Sequence, residues 1–486
     1  GGAGGARGGA ARRARGGGLS RGALLGFLAA CLSCTSFGFD IGSTACAVRA
    51  DQLLADFGLP AQSWQQGLLV TASLYGATVA SFALFLADDA VGRRQEMVLG
   101  NALFLAGTAV SALASGVGAV GAGRFIYGLG VGAVMHSAPP FIAETSPAAQ
   151  RGLLISLKEA FVVGGTALGY FAGIAYPSAG GWRHVWAMDL PFAGIALALS
   201  LLVRESPRWL AARGFRARAE ESLAFYRGGY APPQELRAML TAAATSQGGA
   251  PALEGRGGRG KLSWRSLVEY WRPLEVSCGL VFLQQVSGQP SVMYYAPTIF
   301  EGVGISGRTA VAASGVVSLV KMAATGLSST VVDRYGRRPM LLLGTGLMAV
   351  ALAVLAGASF GDDQGQSGGG GISAGGDLTL LGLGVFVVGY QVGFGPISWI
   401  MVSEVAPLRA RGTLVGIATT VNFLGNILAG QLVPIMLGSM AHAAVWLIFL
   451  VITLLSLVFI YRRVPETKGR SLEDIEKLMA DPRGAP

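Results

Sequence analysis

Apolar stretches long enough to cross a bilayer recur along this chain, each ended by a short polar loop. The run 412–461 contains no Asp, Glu, Lys or Arg, which is room for two spans with a tight turn near Gly438-Ser439. Crossing the hydrocarbon core takes about 20 apolar residues in a helix. Reading runs and breaks, the pattern predicts twelve helices, at 22–48, 65–87, 97–116, 119–140, 153–175, 185–203, 274–299, 309–331, 339–358, 378–402, 412–435 and 441–461. Backbone N–H and C=O groups in lipid must be paired within the segment. The runs are too long for barrel strands, so the expected class is all-α and integral to the membrane.

Composition agrees with the pattern. Of 486 residues, 52% are hydrophobic and 13% charged, so a water-soluble fold would lack polar surface. The 74 glycines suit close helix packing, as in Gly128-Leu129-Gly130-Val131-Gly132. Arg93-Arg94, Arg151, the stretches 204–227 and 256–272, Arg334–Arg338, Arg409, Arg411 and Arg462–Arg470 all fall on one side of the predicted topology. The other side holds little more than Arg49, Arg183 and Arg308. Positive-inside bias puts both termini and the central loop in the cytosol or its equivalent. The net charge of +10 is then loop topology and not a nucleic-acid footprint.

Boundaries follow from the same reading: a disordered basic N-terminus at 1–20, a six-helix domain at 21–203, a cytosolic linker with short helices at 204–273, a second six-helix domain at 274–463 and a cytosolic tail at 464–486. Within the linker, 216–227 and 233–245 read as amphipathic stretches. The Gly-rich acidic insert 361–376 reads as a disordered outer loop. Residues 1–18 carry Arg and no acid, which fits either a plain basic tail or an organelle transit peptide.

The few charges of the chain repeat. Asp89-Ala90-Val91-Gly92-Arg93-Arg94 is followed by Glu144 and Arg151-Gly152; Asp333-Arg334-Tyr335-Gly336-Arg337-Arg338 is followed by Glu404 and Arg411-Gly412. Parallel halves of this kind are the plan of a carrier that rocks around a central site. The ten charges Asp89, Arg93, Arg94, Glu144, Arg151, Asp333, Arg337, Arg338, Glu404 and Arg411 lie at cytosolic helix ends. Bridges among them are expected to lock the two domains when the carrier faces outward and to break when it opens inward. The plainer alternative is interfacial charge that sets topology.

Enzyme chemistry finds no support. Cys31, Cys34, Cys46 and Cys278 all fall in predicted spans and read as buried apolar thiols. His136, His184 and His442 are too scattered for a metal site, and no nucleophile–base constellation or phosphate loop appears. No cofactor is expected beyond a coupling proton.

Several motifs then carry a resemblance. Gly38-Phe39-Asp40, Gly123-Arg124-Phe125-Ile126-Tyr127-Gly128, Arg204-Glu205-Ser206-Pro207-Arg208-Trp209-Leu210, Gln284-Gln285, Tyr294-Tyr295-Ala296-Pro297 and Pro465-Glu466-Thr467-Lys468-Gly469 resemble the sugar porter family of the major facilitator superfamily. The ordered set spans about 20 to 475. Ser156-Leu157-Lys158-Glu159 and the segment 284–292 look most like the plant and algal xylose–proton-symporter-like proteins assigned to plastids. The resemblance implies two six-helix domains and alternating access to a sugar at the midplane, in a plastid envelope or plasma membrane, as a monomer.

Charges inside spans are costly and usually functional. Asp40 sits two-thirds along the first predicted span, where a carboxylate can carry a proton if its charge depends on whether water or Arg124 reaches it. The resemblance matches Asp40 and Arg124 to the coupling pair of the family's proton symporters, where facilitative glucose carriers have Asn at the first position. Sugar hydroxyls need amides and hydroxyls, and sugar C–H faces need an aromatic ring. By resemblance the cavity is lined by Gln284, Gln285, Gln289 and Tyr295, by Gly395 and Trp399, and by Asn422, Phe423 and Asn426. Glu159 replaces a cavity glutamine, with Thr166 further along the fifth span. Pro290 and Lys321 each stand where the family's xylose symporter has Asn. Glu159 and Lys321 are expected to form an ion pair across the domain interface, with snorkelling of Lys321 to cavity water as the alternative. The expected function is sugar–proton symport. A facilitative hexose or polyol uniporter is the first alternative, and a transporter-like sugar sensor or a proton-driven drug antiporter come after it.

Overall fold

A computed structural model describes residues 19–87, 90–147, 150–248, 270–302, 304–305, 307–363, 374–407, 411–470 and 472–480. In the first half the helices are α1 (Arg21–Ala47), α2 (Trp64–Leu86), α3 (Arg93–Ala112), α4 (Val117–Thr145), α5 (Arg151–Ala175), α6 (Trp182–Ala187) and α7 (Asp189–Leu202). The linker holds α8 (Pro207–Ala212), α9 (Arg216–Tyr226) and α10 (Pro233–Gly248). The second half follows with α11 (Trp271–Val286), α12 (Gln289–Gly302), α13 (Gly307–Tyr335), α14 (Arg337–Asp363), α15 (Ala374–Val392), α16 (Phe394–Val405), α17 (Arg411–Ser439), α18 (His442–Arg463) and α19 (Leu472–Ala480).

Every predicted span coincides with a long helix or with a helix broken once. Ten of these are long and apolar enough to cross a membrane among the described residues. The first turn of α3, with Arg93, Arg94 and Glu96, dilutes its hydropathy, and α11 and α12 are each too short taken singly. The seventh predicted span is therefore not one helix. Gly288 sits at φ +93°, and a Cβ there would meet the Phe449 ring at 2.7 Å. Pro290 follows in the first turn of α12, where its missing N–H costs nothing. The tenth span likewise breaks at Gly393, and the sixth at Met188. Both amphipathic linker stretches are helical, as α9 and α10. The basic leader 1–18 and most of the acidic insert, 364–373, lie outside the described residues.

Broad bands of large apolar side chains face outward. Val451, Leu455 and Val458 on α18 are half or more exposed, as are Val79 and Leu86 on α2. In water such bands would aggregate, whereas against acyl chains they are the solvated surface. Inside, helices meet through glycine. A Cβ at Gly38 or Gly42 of α1 would strike the Val162 or Thr166 carbonyl of α5, and one at Gly165 or Gly169 of α5 would strike Thr35 or Ser43 of α1. These two glycine pairs, each four residues apart, allow backbone-to-backbone approach, which replaces the hydrophobic drive that lipid does not supply. Gly128 of α4 fits against Ser73 of α2 in the same way.

Across the halves, α2 packs on α17, α5 on α13 and α1 on α12. Polar ties between them lie away from the arginine-rich loops. Arg49 Nη2 at the end of α1 is 2.5 Å from Glu301 Oε1 on α12. Thr71 and Tyr75 of α2 donate to Gln431 Oε1 of α17 at 3.1 and 3.2 Å. The Tyr170 hydroxyl donates to the Met293 carbonyl.

Gly165→Val should destabilise the protein by about 1–3 kcal/mol, the usual cost of overpacking. Gly164→Val is the control, because its Cβ would meet nothing nearer than Met322 Sδ at 3.6 Å. Thermal unfolding of the detergent-solubilised protein reads both, and equal shifts would sink the glycine-contact argument.

Candidate functional site

Two polar sites and two charged clusters emerge from this packing. The first site is a buried pair. Arg124 of α4 grips Asp40 of α1 through both terminal nitrogens, Nη1 to Oδ1 and Nη2 to Oδ2, the latter at 3.1 Å. Their side chains are 3% and 2% exposed, so each charge depends on the other for solvation. Ser73, brought in by the α2–α4 glycine contact, donates to Asp40 Oδ2 at 3.0 Å and accepts from Arg124 Nη2 at 3.1 Å. Thr44 Oγ1 lies 3.4 Å from Oδ1. The rings of Tyr127 and Trp186 flank the guanidinium, their centroids 5.9 and 5.3 Å from its carbon. A second buried acid, Asp189, heads α7 and lines the same small cavity. The Tyr127 hydroxyl is 3.0 Å from Asp189 Oδ2 and 2.7 Å from the Ser36 carbonyl oxygen.

The second site is a wall of amides on the second half. Gln284 Nε2 donates to the Phe394 and Gly395 carbonyls at 3.0 and 3.4 Å, in the first turn of α16. Asn422 Nδ2 approaches Gln284 Oε1 at 3.5 Å, and the Tyr390 phenol hydrogen-bonds to the same glutamine. Around it three buried amide atoms have no hydrogen-bond partner: Gln285 Oε1, Gln289 Nε2 and Asn426 Oδ1. Buried polar groups are ordinarily satisfied, and these three atoms are of the kind that can bond the hydroxyls of a ligand. Trp399 on α16 is 37% exposed.

The clusters at the basic end are built twice from the same parts. Glu205 Oε1 accepts from the Arg94 N–H that opens α3, at 2.9 Å. Glu466 accepts from the Arg337 and Arg338 N–H groups that open α14, at 3.1 and 3.0 Å. Both carboxylates thus sit on the positive end of a helix dipole. The next residue in each case, Ser206 or Thr467, donates its hydroxyl to the gate glutamate, Glu144 or Glu404. The guanidinium groups of Arg94 and Arg338 cap the ends of α7 and α18, on the Leu201 and Tyr461 carbonyls. Arg337 pairs with Glu404 at 3.0 Å.

A model of the family described as Sugar (and other) transporter matches residues 25–479. The chain belongs to the sugar transporter family. Among family relatives, D-xylose-proton symporter-like 2 of Arabidopsis thaliana is 36% identical over 479 residues, 93% of this chain and 90% of that protein. The arabinose-proton symporter of Bacillus subtilis is 31% identical over 428 residues, 85% of this chain and 87% of its own. The structure of the major facilitator superfamily proton:xylose symporter XylE, bound to 6-bromo-6-deoxy-D-glucose, superposes with a TM-score of 0.75 at 25% identity, covering 94% of this chain and 99% of that one. This sugar transporter family member is a multi-pass membrane protein with the major facilitator fold, and not an enzyme.

Placed on this family member, the residues singled out in sequence sort into three groups. Asp40 meets Arg124, and Gln284, Gly395 and Asn422 meet one another, with Gln285, Gln289, Asn426 and Trp399 around them. Four others depart from expectation. The Tyr295 hydroxyl donates to the Gly430 carbonyl at 2.9 Å and is spent on helix packing; its neighbour Tyr294 has the buried hydroxyl without a partner. Phe423 belongs to a buried cluster that also holds Phe27, Leu74 and Val162 of the first half, so it is part of the apolar core between the halves. Thr166 Oγ1 turns back to the Val162 carbonyl of its own helix at 3.3 Å. Glu159 pairs with its neighbour Lys158 at 2.5 Å and not with Lys321.

Cross-domain bridges, expected when the carrier faces outward, are not among the pairings described in this conformation. The described pairings of Arg94, Glu144, Arg337, Arg338 and Glu404 stay within one half each, tied to the linker or the tail. Arg93 is buried and Arg151 half-buried at the same end. Asp89 lies outside the described residues, and Asp333 and Arg411 are described by their backbone alone. Glu466→Ala and Glu205→Ala should each cost about 1 kcal/mol, as lost helix caps do. Unchanged unfolding midpoints for both variants in detergent would show that these carboxylates contribute nothing.

Proposed function

We propose that this chain is a sugar–proton symporter that moves a monosaccharide by alternating access, with Asp40 as the proton carrier. The observation that carries the reading is the closed Asp40–Arg124 pair, buried in a span and held by Ser73 and Thr44. A proton on Asp40 cancels one charge of the pair and frees Arg124, whose nearest remaining acid is Asp189 in the same cavity. Protonation state and helix arrangement are thereby linked. The amide wall supplies what a sugar needs, with acceptors at Gln285 and Asn426 and a donor at Gln289. Relatives named as xylose and arabinose proton symporters support the substrate class. The ties at Arg49–Glu301 and Gln431 hold the outer end shut, so the conformation described fits one that faces the arginine-rich side.

Reconstituted in proteoliposomes, the protein should accumulate a pentose or hexose against its gradient when an inward proton gradient is imposed. Asp40→Asn should abolish that accumulation while leaving sugar exchange between the two sides. Uphill uptake that survives the substitution removes Asp40 from coupling and turns the reading toward another carrier group. Asn426→Ala should raise the half-saturating sugar concentration about three- to tenfold, the effect of one hydrogen bond of about 0.5–1.5 kcal/mol. An unchanged value would exclude Asn426 from the sugar site.

A further inference from the structure

Away from their ends, the facing spans α5 and α13 hold three charged side chains, Lys158, Glu159 and Lys321, and they do not balance. Lys158 is buried at 4% exposure beside Cys31 and Cys34 and holds Glu159 at 2.5 Å. Glu159 therefore has its counter-charge on its own helix. Lys321 on α13 has no carboxylate within 4.0 Å among the described residues. Glu159 is the charged group whose field reaches it.

The helix register explains why those two do not join. The helices α5 and α13 run antiparallel, with Gly173 facing Val311, Phe171 facing Gly315 and Gly164 facing Met322. Lys321 is thus level with Gly164 and Gly165, while Glu159 lies more than a turn nearer the arginine-rich end. Side chains lean toward the start of their own helix. In an antiparallel pair that lean carries Glu159 and Lys321 in opposite directions.

What Lys321 does meet is the sugar wall. Its ammonium stands over the Tyr390 ring, 5.8 Å from the centroid, within cation–π range. The Tyr390 hydroxyl bonds to Gln284, the centre of the amide cluster. One side chain therefore links a cation without an acid partner to the place where three amide atoms stand unpaired. A cation in a span is costly unless it meets an opposite charge, and in carriers it marks the ligand path.

We propose that Lys321 is an anion-recognising corner of the sugar site, and that the carrier accepts monosaccharides bearing a carboxylate, of the uronic acid class. This inference rests on the amides binding sugar, as set out above. One ammonium matches one negative charge, and the nearby Glu159 disfavours a dianion, so a carboxylate fits where a phosphate ester does not. The amides take the ring hydroxyls and the ammonium takes the acid.

The test uses the full chain in detergent, with binding followed by tryptophan fluorescence, Trp399 being the reporter in the site. D-Glucuronate and D-galacturonate are compared at neutral pH with their methyl esters, which keep the shape and lose the charge. The free acids should bind at least about tenfold more tightly than the esters. K321Q should bring that ratio to about one, and K321R should keep the preference. Acids no better than esters in the unaltered protein, or a preference that survives K321Q, would overturn the proposal. Because binding is read directly, loss of proton-driven uptake bears on the symport reading and not on this one.

Discussion

Lipid offers neither hydrogen bonds nor screening, so each charge and each amide placed in a span must be answered by the protein or by what it carries. The structure can be read as the set of those answers. Asp40 is answered by Arg124, Ser73 and Thr44, and Lys158 by Glu159. Gln284 is answered by two carbonyls in the first turn of α16. Among the groups left over, two amide oxygens, one amide nitrogen and one ammonium lie on the second half. A substrate that satisfies them is bound by the same rule that folds the rest.

The duplication accounts for a different part of the molecule. Its two copies make equivalent ends, with a carboxylate on the start of the third span of each half, a hydroxyl on the gate glutamate and an arginine on the last carbonyls. These parts bind the linker to the first half and the tail to the second. The interior is unlike from half to half: the first carries the acid–guanidinium pair and the second carries the amides. Equal ends with unequal interiors let one mechanical frame serve a directional task.

The helices were legible because hydropathy and charge act along the sequence, and lipid imposes both. The breaks at Gly288 and Gly393 were not, since each depends on what packs against it, such as Phe449 on Gly288. Asp40 and Arg124 were legible as charges in charge-poor runs. Asp189, inside the span 185–203, is legible by the same rule. The misjudged residues failed for geometric reasons. Tyr295 and Tyr294 are neighbours that a helix points about 100° apart, so one reaches a carbonyl and the other does not. The pairing proposed for Glu159 and Lys321 ignored helix register, which no one-dimensional pattern contains. Glu205 and Glu466 stood in plain view as motif residues, but their role as helix caps needed the fold to bring distant segments together.

The glycine contact between α1 and α5 has a consequence for timing. Asp40 lies between Gly38 and Gly42, and those two glycines rest on the backbone of α5 at Val162 and Thr166. No side chain intervenes that could yield by changing rotamer. A displacement of the acid's helix is therefore handed to α5, and to its seam with α13, as a push between two rods in direct contact. The joint has almost no slack, so whatever loosens Arg124 from Asp40 is felt at the seam between the halves in the same movement.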